Sequence, residues 1–160
     1  SNFKDIKVTI VGDIKHSRVA RSLVEGLSIM GTDQIFLVSP NEFKPDMSHY
    51  QNTNHTDDLS IGLKEADVVV ALRVQKERIQ ELNNDIDSGH YFEGYGLTHK
   101  KIANCKKKVI VMHPGPMNRG IEISNEVADG PHSVINEQVT NGIAMRMALL
   151  SLIKKRHASS

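Results

Sequence analysis

Four short apolar runs, separated by polar or amphipathic stretches, constrain the fold of this chain more than any other feature. They are Ile6-Lys7-Val8-Thr9-Ile10-Val11, Gln34-Ile35-Phe36-Leu37-Val38, Val68-Val69-Val70-Ala71-Leu72 and Val109-Ile110-Val111-Met112. Runs of this length, rich in β-branched residues and closed by turn formers, read as buried strands. Gly12-Asp13 stops the first, and a helix follows from about Ser17 with Val19, Ala20, Leu23, Leu27 and Met30 on one stripe and Gly31 at its stop. The second run closes at Ser39-Pro40, and the polar segment 41–56 leaves room for one short edge strand. Asp57 or Asp58 then caps a short helix carrying Leu59, Ile61, Leu63 and Ala66. The polar region 74–108 has space for one or two helices. A long helix from about Ser133 to Lys154 closes the chain, with Val139, Ile143, Met147, Leu150 and Ile153 in its apolar stripe.

Strands that are nearly continuously apolar and alternate with helices belong to parallel sheets with right-handed crossovers. The expected architecture is therefore α/β: a single doubly wound, mostly parallel, Rossmann-like sheet with helices on both faces. A length of 160 residues suits one such domain, and no internal repeat or low-complexity segment interrupts it.

Composition narrows the function. The 39% apolar content supports a real core, while a net charge of +1 with scattered basic residues provides no field for nucleic acid or a membrane surface. The basic run Lys106-Lys107-Lys108 reads as solvated lysines ahead of a strand. Cys105 is the sole cysteine, so no intrachain disulfide can form, and the expected setting is a reducing cytoplasm. No stretch of eighteen apolar residues occurs, and nothing before the first strand reads as a signal peptide. Ser1-Asn2 reads as an expression or processing scar, residues 3–156 as the domain, and 157–160 as a frayed tail.

In a parallel α/β sheet, ligands bind beyond the carboxyl ends of the strands. Three polar segments begin there: Gly12-Asp13-Ile14-Lys15-His16-Ser17-Arg18, Arg73-Val74-Gln75-Lys76-Glu77-Arg78 and His113-Pro114-Gly115-Pro116-Met117-Asn118-Arg119-Gly120. Taken alone, the last is either a plain strand exit or a rigid ligand-binding edge. Pro114 and Pro116 lack backbone donors but keep their carbonyls, which can present fixed acceptors to an amine or amide. A lone arginine at such a position is more often solvated than functional. Arg18 and Arg73 on a shared rim, together with Gln75, point instead to a ligand with two anionic groups, because guanidinium binds carboxylate or phosphate bidentately.

Other chemistries find little support. No further glycines follow Gly12 at dinucleotide-loop spacing, and Asp13 would repel a pyrophosphate; no P-loop occurs either. The eight histidines include no H-x-x-x-H pair and have no companion cysteines, so no metal or other cofactor is expected. His113 reads as a packed, hydrogen-bonded histidine. His16 either reaches the ligand or covers the helix start, Lys15 stands beside it, and Cys105 has no neighbouring base in sequence.

These segments also resemble a known family. Val11-Gly12-Asp13-Ile14-Lys15-His16-Ser17-Arg18-Val19-Ala20-Arg21-Ser22, Leu72-Arg73-Val74-Gln75-Lys76-Glu77-Arg78 and Met112-His113-Pro114-Gly115-Pro116-Met117-Asn118-Arg119-Gly120 are similar to the aspartate carbamoyltransferases. Glu122-Ile123, Val127-Ala128-Asp129-Gly130-Pro131 and Gln138-Val139-Thr140-Asn141-Gly142-Ile143-Ala144-Met145-Arg146 continue the match in order along nearly the whole chain. The resemblance is to the C-terminal, aspartate-binding domain only. It implies that Arg18, Arg73 and Gln75 hold the two carboxylates of L-aspartate. It further implies that Pro114 and Gly115, in the Pro114-Gly115-Pro116 loop, contact the carbamoyl amide or the attacking amine. The family joins carbamoyl phosphate and L-aspartate into N-carbamoyl-L-aspartate and phosphate, in pyrimidine synthesis.

The family's Ser-Thr-Arg-Thr and His-Pro-Thr-Gln motifs, which bind carbamoyl phosphate on an N-terminal domain, are absent from this sequence. Since catalysis there rests on positioning both substrates and stabilising the oxyanion and departing phosphate, the 160-residue chain is expected to lack turnover by itself. The family's homotrimer contacts lie in that same domain, which leaves the state of this chain open between a monomer and association through its last helix. The segment 74–98 matches the family's mobile loop and is expected to be the least ordered. An ornithine carbamoyltransferase is the nearest rival, but His113 is followed by Pro114-Gly115-Pro116 rather than Cys-Leu-Pro, and no Ser-Met-Gly occurs. A non-catalytic dicarboxylate-binding or docking module is the alternative of a different class, and a nicotinamide oxidoreductase is disfavoured by the missing glycine loop.

Overall fold

The apolar runs all become parallel strands. In the computed structural model, which describes residues 2–75, 77 and 88–158, the strands are β1 (Lys7–Val11), β2 (Gln34–Val38), β3 (Thr53–Thr56), β4 (Val68–Ala71) and β5 (Ile110–Met112). Between and after them lie helices α1 (Arg18–Ile29), α2 (Leu59–Leu63), α3 (Ser88–Tyr95), α4 (His99–Ile102), α5 (Asn125–Ala128) and α6 (Ile135–Ala158). One five-stranded sheet results, in the order β3-β2-β1-β4-β5, with every neighbouring pair parallel. β3 is the short edge strand for which segment 41–56 left room. The chain winds outward from β1 through β2 to β3, then crosses to the other side of β1 for β4 and β5. The strand order thus reverses between β1 and β4, which opens a crevice at their carboxyl ends.

Alternation along each strand divides the core in two. Val8 and Ile10 of β1, Ile35 and Leu37 of β2 and Val70 of β4 pack with Ala20, Val24 and Leu27 of α1. The opposite face carries Val11, Val38, Val69, Ala71 and Val111 against Leu59 and Leu63 of α2, Ile102, Ile123, Val127 and Ile135. Helices cover both faces, as the doubly wound pattern requires. Beyond β5, the Val111 N–H donates to the His132 carbonyl (2.7 Å) and the Val134 N–H to the Val111 carbonyl (3.0 Å), so the edge backbone is satisfied.

The helix starts follow capping chemistry. Ser17 accepts from the Ala20 N–H through its hydroxyl (3.0 Å) at the start of α1. Of the two candidates for α2, Asp58 is the cap, accepting from the Ser60 N–H (2.7 Å). The buried face of α1 differs from the expected stripe. Val24 belongs to it, Leu23 is half-buried, and Val19 and Met30 at the two ends are exposed. Ile61 of α2 is likewise exposed, while Leu59 and Leu63 are buried. In α6 only the first turn enters the core, through Ile135; Val139, Ile143, Met147, Leu150 and Ile153 are all exposed.

Within the segment expected to be mobile, residues 76 and 78–87 lie outside the described residues, as do Ser1 and the end of the tail at 159–160. No helix among the described residues is long and apolar enough to cross a membrane.

Candidate binding site at the strand ends

The crevice between β1 and β4 holds a small cavity of about 250 Å³, lined by Asp13, His16, Ser17 and Val19 after β1, Leu72, Arg73 and Gln75 after β4, and Pro114 and Gly115 after β5. All three expected segments therefore contribute. The volume falls below the ~300–1,000 Å³ of drug-sized pockets and suits a small metabolite. Three larger hollows occur among the described residues, one of them, of about 320 Å³, a shallow surface on α6 at Asn136, Glu137, Thr140 and Asn141. Another, of about 460 Å³, lies beside α2 and is lined partly by Lys101, whose ammonium already donates to the carbonyls of Phe92, Glu93, Gly94 and Gly96 at 2.6–3.3 Å. The third lies behind α1 near Ser48 and Asn52, away from the strand ends. The cavity at the strand ends gathers the chemistry.

Gly12 makes the crevice possible. Its φ of 131° belongs to glycine, and a Cβ there would sit 3.0 Å from Leu72 Cβ and 3.1 Å from the Leu72 carbonyl oxygen. The loops after β1 and β4 can pass this closely only without a side chain. The Leu72 N–H also donates to the Val11 carbonyl (2.8 Å), which carries the pairing of β1 and β4 up to the mouth. Asp13, 2% exposed, then turns inward and accepts from His16 twice, from its backbone N–H (3.2 Å) and from ring Nδ1 (2.8 Å). These bonds fix the His16 ring at the cavity edge.

The third wall is built from below. His113 is fully buried and lies beneath the cavity rather than on it. The Gly115 N–H donates to its Nδ1 (2.9 Å), which places the ring proton on Nε2, and Nε2 donates to Glu122 Oε1 (3.1 Å). The same carboxylate oxygen accepts from the Asn118 N–H, and Gln138 at the start of α6 accepts from the His113 N–H (3.2 Å). Gly115 has a φ of 68°, another position that favours glycine, and the Gly115–Pro116 peptide is cis. Pro114 and Gly115 are thus held from beneath by a buried polar cluster and present their backbone upward. Glu122 Oε2 and Tyr91 Oη are also buried, with no hydrogen-bond partner among the described residues. Burial, reinforced by the Glu122 and Asp13 charges, pushes the Tyr91 hydroxyl well above the ordinary range.

Of the sequence-predicted residues, His16, Arg73, Gln75, Pro114 and Gly115 line the cavity together. Arg18 is exposed on the first turn of α1 between Ser17 and Val19, both of which line the cavity, but is itself outside the lining. Lys15 and Pro116 are exposed next to the lining but outside it. Sequence reasoning gave no structural role to Asn118, Glu122 or Gln138, and named Asp13 as a strand stop and a repulsive charge but not as the partner of His16. These residues do lie in the segments that carried the resemblance, which was the one signal pointing to them.

Residues 4–153 match the family model described as the Asp/Orn-binding domain of aspartate/ornithine carbamoyltransferase. The chain belongs to this family. A curated relative from Ruthia magnifica subsp. Calyptogena magnifica, named aspartate carbamoyltransferase catalytic subunit, is 47% identical over 151 residues, covering 94% of this chain and 47% of the relative. A second of the same name, from Vesicomyosocius okutanii subsp. Calyptogena okutanii, is 46% identical over 154 residues and covers 96% and 48% of the two chains. The chain thus spans about half the length of the curated relatives it matches. Among solved structures, the ornithine carbamoyltransferase of Pyrococcus furiosus superposes with a TM-score of 0.81 at 25% identity, over 94% of this chain and 50% of that one. The aspartate transcarbamoylase of Trypanosoma cruzi, in complex with phosphate, gives 0.76 at 25% identity, over 92% and 50%. The doubly wound, Rossmann-like α/β fold read from the strand pattern is the fold observed, and it is shared with these carbamoyltransferases.

Proposed function

We propose that this chain is the L-aspartate-binding half of an aspartate carbamoyltransferase, the enzyme that moves the carbamoyl group of carbamoyl phosphate onto the amine of L-aspartate. The observation that carries the reading is the convergence of Arg73, Gln75 and the Pro114–Gly115 backbone on one small cavity at the β1–β4 crevice. Arg73 takes one carboxylate of aspartate through a bidentate pair, with Gln75 donating beside it, and Arg18 approaches the other from the adjacent turn. The Pro114 and Gly115 carbonyls accept from the amine or from the carbamoyl amide. In the reaction the amine nitrogen attacks the carbamoyl carbon, a C–N bond forms, the C–O bond to phosphate breaks and the amine loses a proton. The part of this chain is to bind and orient the nucleophile; carbamoyl phosphate is held mainly by the rest of the full-length protein. Turnover therefore requires that other half, and the full-length protein acts as a cytoplasmic homotrimer.

Ornithine is the weaker candidate. Its side chain ends in a cation, which Arg73 repels, and the one carboxylate in the lining, Asp13, is occupied by His16. The two curated relatives named as aspartate carbamoyltransferases are also 47% and 46% identical to this chain, against 25% for the ornithine enzyme of similar shape.

Titration of the ¹⁵N-labelled chain with succinate, ornithine and NAD tests the reading. Succinate is expected to shift Arg73 and Gln75, and Arg73→Ala to weaken it about ten-fold or more through loss of a charge-assisted pair. Shifts caused by NAD near Gly12, or no response to any dicarboxylate, would overturn the assignment. Carbamoyl aspartate formed by the pure chain would overturn the division of labour between the two halves.

A further inference from the structure

We propose that Asn118 is a positioning residue that sets the Arg73–Gln75 segment against the Pro114–Gly115 wall. Its backbone N–H is anchored on buried Glu122 Oε1, the oxygen that also fixes His113 and, through His113, the Gly115 N–H. Its side-chain Nδ2 reaches across the crevice and donates to the carbonyl of Val74 (2.9 Å). Val74 is the residue between Arg73 and Gln75, and its own side chain is fully buried beside Phe43, Tyr91 and Ile121. A single residue thereby ties two walls of the cavity that come from different strands. Neither wall is otherwise held to the other by a hydrogen bond among those found in the described residues.

The physical consequence is a shared register. The carbonyl of Val74 can point at Asn118 only with the flanking peptides in one orientation, and those peptides carry Arg73 and Gln75. A carboxylate held by Arg73 and an amine held at Pro114–Gly115 must stand a fixed distance apart in one ligand. The distance between the two walls is therefore the quantity Asn118 sets. This inference rests on the proposed dicarboxylate site, but it can be read in the free chain.

Asn118→Asp keeps the shape of the side chain, keeps the backbone donor to Glu122, and replaces the donor toward Val74 with an acceptor. In the ¹⁵N-labelled 160-residue chain the variant is expected to keep its unfolding midpoint within about 4 °C. It is also expected to move the Arg73, Val74 and Gln75 amide resonances, to leave Gly115 in place, and to weaken succinate about ten-fold. Parent chain should show a slowly exchanging Asn118 carboxamide proton, absent in the variant by construction of its chemistry and restored in no other residue. Unmoved Arg73–Gln75 resonances, a succinate affinity within about two-fold of the parent, or shifts spread equally over Gly115 and the core would each overturn the assignment. If the parent fails to answer succinate, the aspartate reading falls, and the ligand-free resonances alone decide the role of Asn118. Should the aspartate variant not fold, Asn118→Ala is read by the same signals, and failure of both to fold would make the residue structural and end the proposal.

Discussion

Helices α1 and α6 both carry apolar side chains at helical spacing and meet opposite fates. α1 lays Ala20, Val24 and Leu27 into the sheet, where Leu27 is 5% exposed. α6 buries its first residue, Ile135, and then leaves Val139, Ile143, Met147, Leu150 and Ile153 facing solvent, with Leu150 67% exposed. The sheet explains the difference. Its two faces are already closed by α1 on one side and by α2, α4 and α5 on the other. An apolar stripe records that a helix face needs a partner; the topology decides whether that partner lies in the same chain.

The sharpest way to break this contrast is to truncate one residue in each helix. Leu27→Ala removes a side chain from a closed core and is expected to lower unfolding stability by about 3 kcal/mol in urea titration. Ile135→Ala, on the buried first turn of α6, should cost nearly as much. Equal, small losses at Leu27 and Leu150 would mean that α1 is not the packed helix described.

Core closure can also be followed through pH. Burial pushes the Cys105 thiol up to about 11, with the Lys7 ammonium opposing that shift. A raised folded-state pKa favours the folded form below the unfolded value near 9 and loses that advantage as pH rises toward 11. Between those values the unfolded chain ionises while the folded chain does not, so stability should fall by about 1 kcal/mol near pH 10 from this group. Tyr91, also pushed upward by burial, acts in the same direction, so Cys105→Ala should flatten the alkaline slope only in part. Iodoacetamide should label Cys105 very slowly at neutral pH, and rapid labelling of the native chain would show that this face of the sheet is open.

The sequence made four of the five strands legible to within a residue, because β-branched runs bounded by glycine, proline and aspartate have few other readings; β3, in a polar segment, was left only as room for an edge strand. It also located three walls of the cavity, since parallel strands deliver the segments that follow them to one rim. It was less able to orient α1: periodicity identifies a stripe, but Val19 and Met30 lie at the helix ends, beyond the sheet that would cover them. α3 and α4 were legible only as room for one or two helices in 74–108, and α5 was not foreseen, for a different reason. They are short, polar or single-turn elements held by caps such as Thr98 and Ser124 rather than by an apolar period. The support beneath the third wall, His113 on Glu122 and Asn118 on Val74, depends on how one loop folds back on itself, and no spacing rule encodes that closure.

The smallest expected effect on stability carries the most information about α6. Leu150→Ser and Ile153→Ser alter side chains that lie on the same stripe and are 67% and 55% exposed, so each should change unfolding stability by no more than about 0.5 kcal/mol. A cost like that of Leu27→Ala would show that the face is covered within this chain and would erase the contrast between the helices. The same two substitutions should have a clear effect on association. A continuous exposed apolar face favours self-contact at high concentration, so sedimentation of the parent should show weight-average mass rising with concentration, and the double variant should remain monomeric. Under the proposed function the other half of the carbamoyltransferase is the surface this face meets. Adding that half in trans should then suppress self-association of the parent, while the double variant should bind it more weakly at unchanged stability. Binding that ignores both substitutions would place the contact elsewhere and leave the face of α6 without a role in assembly.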